Sequence, residues 1–224
     1  MKSLADTVSV KDGKSIMIKG TPELIAGRRE EIINACEELY QTMNFKDITL
    51  KEIGNVVPFS RPTIYNYFQT KEEIFLALFE REYDRWNEEL RLILNSHDEM
   101  TNEELADAAG SLANRPQLLK LLAMNNYDME KESRPELLAA FKKSYGGSLN
   151  LVRNLLEKFR PDLSAEEISR IIYIFFPFMF GIYPYTDVTE KQRTAMNDAG
   201  IEFQYQSVYD IVYKCLITLL KGIR

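Results

Sequence analysis

Within the twelve residues from Ser60 to Lys71 the chain gathers a guanidinium (Arg61), a carboxamide (Asn66), hydroxyls (Ser60, Thr63), two phenols (Tyr65, Tyr67) and an ammonium (Lys71). Arg, Asn and Thr can meet base edges in a major groove, whereas phenols, Thr and Lys mainly fix a nucleic-acid backbone by its phosphates. Helical spacing sorts these groups. Ile64 and Phe68 stand four apart, share one face, and are expected to pack inward against Ile53 and the first helix. Pro62 and Asn66 then point nearly opposite that face, Thr63 and Tyr67 lie on one flank, Tyr65 on the other, and Arg61 projects from the amino end. Such a density of Arg, Asn and Tyr suits a surface made to meet nucleic acid. The plainer alternative is an αα corner inside an ordinary helical protein, with Tyr65 and Tyr67 as half-buried packing.

The elements that must position these groups are written in the flanking residues. Thr49 caps a short helix with Glu52 reciprocating, and Pro58 ends that helix by driving Val57 out of the helical region and bringing a ring with no amide donor. Ser60 is expected to cap a second short helix with Pro62 in its first turn. This is helix-turn-helix spacing. Capping boxes recur at Thr70/Glu73, Thr101/Glu104, Ser133/Glu136, Ser164/Glu167 and Thr189/Gln192, and Thr21-Pro22 adds a cap with Pro at the first helical position. Stripes of helical period accompany them: Ile32, Cys36, Leu39 and Met43; then Phe75, Phe79, Tyr83, Trp86, Leu90 and Ile93; then Val208, Val212, Cys215 and Leu219. No strand-like alternation competes, so the expectation is an all-α chain of about nine helices.

Residues 1–71 carry ten Lys/Arg against nine Asp/Glu, net +1, leaving eighteen against twenty-five, net −7, for the remainder. A uniformly acidic protein would be repelled by nucleic acid, but here the acid is concentrated in the larger part. Residues 1–20 lack a sustained stripe and carry Lys2, Lys11, Lys14 and Lys19, which predicts a flexible arm, either a frayed terminus or a basic segment that touches DNA. Domains are therefore expected at 1–20 (arm), 21–70 (helix-turn-helix) and 71–224 (helical body). The two cysteines, Cys36 and Cys215, read as core residues of a reducing compartment, and with no secretory leader the expected location is the cytoplasm. The longest apolar stretch, Ile171 to Tyr185, is interrupted by Pro177 and Pro184 and is shorter than the roughly 20 residues that cross a bilayer. Enzyme chemistry finds little support. His97 is the only histidine and sits at a helix end, no Cys/His cluster suits a metal, Gly146-Gly147-Ser148 lacks the phosphate-cradling pattern, and no cofactor motif is present.

The run Ser60-Arg-Pro-Thr63-Ile-Tyr65-Asn-Tyr67-Phe68, followed by Lys71-Glu-Glu-Ile74, resembles the signature of the TetR (tetracycline-repressor-like) family of bacterial transcriptional regulators. The resemblance implies a three-helix DNA-binding head and a helical ligand-binding, dimerising body. It also implies that Thr49, Thr63, Tyr65, Tyr67 and Lys71 contact phosphates while Arg61, Pro62 and Asn66 lie near bases; Ser60, at the start of the same helix, is counted with them as a DNA-binding residue. The family's usual Ala-Gly before the residue preceding the capping Ser is Val57-Pro58 here, so the turn is expected to be built differently. The implied partners are a palindromic double-stranded operator, a second copy of the chain and a small apolar or aromatic effector, with no membrane. An all-helical adaptor without DNA affinity is the competing reading.

For the body, Pro177 is expected to kink an aromatic helix with Gly181 allowing close approach, opening room beside Phe175, Phe178, Met179 and Tyr183. Asn125, Tyr127 and Met129, which interrupt a leucine stripe, are the candidates for a second, more polar wall. The last two helices, about 164–183 and 203–221, would form a four-helix bundle across the dimer axis, with Val208, Ile211, Val212, Cys215, Leu216 and Leu219 at the interface. The alternative is that these side chains pack within the protomer.

Overall fold

A computed structural model describes residues 7–11, 14–18, 21–124 and 126–222. Its helices are α1 (Pro22–Thr42), α2 (Leu50–Val56), α3 (Arg61–Ile64), α4 (Lys71–Ser96), α5 (Asn102–Gly110), α6 (Pro116–Leu122), α7 (Asn126–Lys131), α8 (Pro135–Phe159), α9 (Ala165–Thr186), α10 (Glu190–Asp198) and α11 (Val208–Gly222), with a 3-10 turn at Ser111–Asn114. Ahead of them, β1 (Thr7–Lys11) and β2 (Lys14–Ile18) pair as an antiparallel hairpin with Thr7 opposite Ile18 and Lys11 opposite Lys14. This hairpin falls in the expected arm; Lys2 and Lys19 lie outside the described residues.

The helices start where orphan amides find a side chain. Thr101 and Ser164 form complete reciprocal boxes with Glu104 and Glu167, and Thr21 and Thr189 accept from Leu24 and Gln192. The Ser133/Glu136 box does not form. α8 begins at Pro135, the carbonyl of Arg134 takes the first helical bonds, and the Ser133 hydroxyl is buried without a partner.

The chain divides into two compact units, residues 1–81 with 125–142, and residues 82–124 with 143–224. In the first, Ile32, Ile33, Cys36, Ile48, Ile53, Ile64, Phe68, Ile74 and Phe75 are buried, and Phe75 is boxed edge-on by Tyr40 and Phe45 at centroid distances of 5.1 and 4.8 Å. Burial pushes the Cys36 thiol up, so it stays an inert core group.

In the second unit Tyr83, Trp86, Tyr145, Phe175 and Phe176 form an aromatic cluster, and the buried Asn87 is satisfied by the Ser144 carbonyl and the Ser148 hydroxyl. α9 runs unbroken through Pro177 and Pro184, both exposed, and a Cβ added at Gly181 would touch nothing within 4 Å, so no close approach occurs there. At 22 residues α9 is long and apolar enough to cross a membrane by length and composition, which corrects the shorter stretch expected. Its Ile171, Ile172, Phe175, Phe176, Met179 and Ile182 are buried in the unit's core.

Candidate nucleic-acid interface

The Thr49 hydroxyl accepts from the amides of Lys51 and Glu52 at 3.2 and 3.4 Å and bonds the Glu52 carboxylate, which starts α2. α2 stops at Val56, and Val57 is extended (φ −70°, ψ 147°) as the following proline demands. The turn contains no glycine, and Val57 and Ser60 both have extended backbone of negative φ, so Val57-Pro58 replaces a glycine-dependent bend with an extended one. Gly54 matters differently: a Cβ there would lie 3.3 Å from Cβ and Cγ of Arg61, so its bare backbone lets α3 lie close on α2.

Ser60 precedes α3 but makes no side-chain cap. Pro62 has no amide to offer, and the Thr63 amide donates to the Ser60 carbonyl at 2.8 Å, so the Ser60 hydroxyl pairs with the Thr63 hydroxyl at 3.0 Å instead. α3 itself is a single turn. Beyond it the chain tightens, with the Asn66 and Tyr67 amides reaching the carbonyls three residues back at 3.1 and 2.9 Å before Phe68 returns to Ile64 at 2.9 Å. The expected longer rod is thus one α-turn continued by tighter turns.

Ile64 and Phe68 are fully buried, and Arg29 lies over the Phe68 ring at 5.6 Å. Opposite them Arg61 and Pro62 are exposed, and Thr63, Tyr65 and Asn66 are half-exposed. Two expected phosphate contacts sit deeper than their spacing suggested. Tyr67 is only 8% exposed, since the tightened turn carries it toward the core side. Lys71 is drawn inward: its ammonium donates to the carbonyls of Phe45 and Ile48 at 2.7 and 3.1 Å and rests 4.1 Å from the Phe45 centroid. Exposed cations on the same stretch, Lys46 and Lys51, are not among the expected contacts, although they flank Thr49 in sequence.

In the second unit a cavity of about 50 Å³ is lined, among the described residues, by apolar side chains that include Trp86 and Leu90 of α4, Leu105 of α5, Leu155 of α8, Phe175 of α9 and Leu216 of α11. Of the predicted effector residues that are described, only Phe175 lines it. Phe178 faces a separate open groove, Met179 is buried away from the cavity, and Tyr183 is half-buried with its phenol pKa pushed up by burial and then by its hydrogen bond to Asp187. Tyr127 and Met129 of the expected polar wall do not line it, Tyr127 being 83% exposed and Met129 in the core of the first unit; Asn125 lies outside the described residues.

The predicted dimer residues divide in two. Val212 and Leu216 are buried within the unit, because a helix lying on a core turns every third or fourth residue inward. Val208, Ile211, Cys215 and Leu219 are partly exposed, and the last three line the open groove with Phe178. On α9 the side chains of Tyr173, Ile174, Phe180 and Tyr185 are exposed. His97 is exposed, bonded to the Ile93 carbonyl and the Ser96 hydroxyl, and no cluster of three potential metal ligands occurs among the described residues.

A family model described as tetracyclin repressor-like, C-terminal domain, matches residues 80–224, and one for bacterial regulatory proteins of the tetR family matches residues 32–78. Among solved structures, the fatty acid degradation regulator FadR of Bacillus halodurans is 20% identical, with 92% of this chain and 99% of that one covered and a TM-score of 0.56. Bacillus subtilis FadR in complex with stearoyl-CoA is 18% identical (87% and 99% covered, TM-score 0.56). Thermus thermophilus FadR in complex with lauroyl-CoA is 22% identical (88% and 95% covered, TM-score 0.56). A comparison with curated proteins finds no match.

Proposed function

The chain belongs to the TetR family of bacterial regulatory proteins, and from that premise we propose that it is a cytoplasmic transcriptional repressor, released from a palindromic operator by an effector with an apolar part. The observation that carries the reading is the placement of Arg61, Pro62 and Asn66 on the open side of a turn whose other side, Ile64 and Phe68, is fully buried. Arg61, Pro62 and Asn66 would meet base edges, and Thr49, Ser60, Thr63 and Tyr65 would meet phosphates, with Lys46 and Lys51 adding charge. Tyr67 and Lys71 would serve mainly by holding the turn, since a phosphate contact would require Lys71 to release two carbonyls. Two heads are needed because a single turn makes few contacts, and a second copy would pair through the exposed sides of α9 and α11.

The effector we propose is an amphipathic molecule with an aliphatic tail, of the acyl-CoA class bound by the two FadR proteins. The apolar lining of the cavity supports that choice. At about 50 Å³ it is far smaller than the roughly 300 Å³ of a ligand pocket, so a tail could enter only by moving apart the helices that line it. A ligand that binds only the widened state shifts the population toward it, and linkage requires DNA to weaken that ligand by the same factor.

The test is to select duplexes from a random-sequence pool with the full chain and to titrate the selected duplex with and without lauroyl-CoA. Selection of a palindrome bound at nanomolar Kd and released by the thioester is the expected result. Selection of nothing would sink the DNA reading, and release by no acyl-CoA would sink the effector.

A further inference from the structure

We propose that Arg134 is a positioning residue for DNA recognition, fixing the turn that closes α3. The inference rests on the DNA-binding reading and deepens it. Glu73, in the first turn of α4, is 1% exposed and its carboxylate takes four donors. Oε2 accepts from the Gln69 amide at 2.6 Å and from Nη2 of Arg134 at 3.0 Å; Oε1 accepts from Nε and the backbone amide of Arg134 at 2.7 and 3.2 Å. The same Nη2 also donates to the carbonyl of Tyr67 at 2.9 Å. Beside this, the Thr70 hydroxyl donates to the Glu132 carbonyl at 3.2 Å.

One guanidinium therefore neutralises a buried carboxylate and holds a backbone carbonyl in the residue that follows Asn66. The planar fork donates from Nε to one carboxylate oxygen and from Nη2 to the other and to the Tyr67 carbonyl, whereas the one nitrogen of a lysine cannot occupy both donor positions. Residues 67–69 lie between the single turn of α3 and the start of α4, so no regular helix sets their backbone orientation. Removing Arg134 would leave Glu73 buried and uncompensated and take the donor from the Tyr67 carbonyl, and the turn carrying Asn66 would lose its fixed orientation. Arg134 lies in the stretch matched by the C-terminal-domain model and immediately precedes α8, yet it groups with the head in the first compact unit. The residue that precedes α8 is thus bonded directly to the backbone of the recognition turn.

The experiment compares wild type with Arg134→Met and Arg134→Lys, using a duplex that the wild type selects from a random pool, across a salt series, together with amide hydrogen exchange in the absence of DNA. Both variants are expected to lose about tenfold or more in affinity while the slope of log Kd against log salt stays at the wild-type value, because Arg134 touches no phosphate. The Phe68 and Gln69 amides should exchange faster in both. Wild-type affinity in either variant, or a salt slope lower by about one, would overturn the proposal. If Arg134→Met does not fold, Arg134→Lys, which keeps the buried charge paired, carries the same comparison. Should the wild type select no duplex, the DNA reading falls and takes this proposal with it; unchanged exchange and affinity in the variants remove this proposal alone.

Discussion

Asn66 and Tyr67 are neighbours with different fates: one stays half-exposed on the open side of the turn and the other is packed away. The four-residue spacing of Ile64 and Phe68 made the buried side of this turn legible, because any helical turn brings such a pair onto one face. Lys71 was not legible in the same way. Its acceptors are carbonyls of Phe45 and Ile48, and only the folded head brings those to its ammonium. The two kinds of residue should part in measurement. Arg61→Ala or Asn66→Ala should change preference at one base pair by about 1 to 3 kcal/mol and leave stability alone. Lys71→Met should destabilise the head by about 1 to 3 kcal/mol, because two carbonyls lose their donor, and weaken binding alike on all sequences. Binding to a library of single-base operator variants, beside urea unfolding, checks both.

Among the elements, caps were the most readable feature, and Ser133 marks where reading by spacing stopped working. Ser133 and Glu136 have the box spacing, but the Arg134 amide is held by Glu73, and the helix starts one residue later. Ser164→Ala should therefore cost about 1 kcal/mol, whereas Ser133→Ala should fall within about 0.5 kcal/mol of wild type, as thermal melts will show. The capping carboxylates also carry a pH signature. Glu104 and Glu167 are held below the usual carboxylate range, first by the backbone amides of Thr101 and Ser164 and then by those residues' hydroxyls. A depressed folded pKa means the stabilisation is complete above the ordinary carboxylate pKa and is lost as pH falls through the folded value. The advantage in melting temperature of wild type over Glu167→Gln should accordingly be present at neutral pH and shrink on acidification. The N-terminal hairpin was missed although β-branched runs flank Asp12-Gly13, a dipeptide with a hairpin preference.

At the scale of the whole molecule, the acidic body and near-neutral head leave DNA attraction to a few cations placed on the α2–α3 stretch, and doubling the head is what would make that sufficient. The exposed residues of α9 and α11 are the surface proposed for such doubling. Ile211→Glu or Cys215→Glu should yield a folded monomer with operator affinity reduced at least about a hundredfold, whereas Val212→Ala should lower stability by about 0.5 to 1.5 kcal/mol and leave the dimer intact. Sedimentation and operator titration distinguish these outcomes. A protein that sediments as a monomer before any substitution would refute the assigned surface.

The sequence by itself determined the helical class, the ends of α2 at Thr49 and Val56, and the inward pair of the recognition turn, since each follows from chemistry among residues at most a few positions apart. Only the tertiary structure decided that α3 is a single turn, that Lys71 and Tyr67 face inward, that Arg134 reaches Glu73, and that the cavity is walled by residues of five helices, with Tyr127 and Met129 not among them. Each of those outcomes depends on a partner many residues away. Periodicity shows which side of a helix is apolar, but not what the rest of the chain brings to meet it.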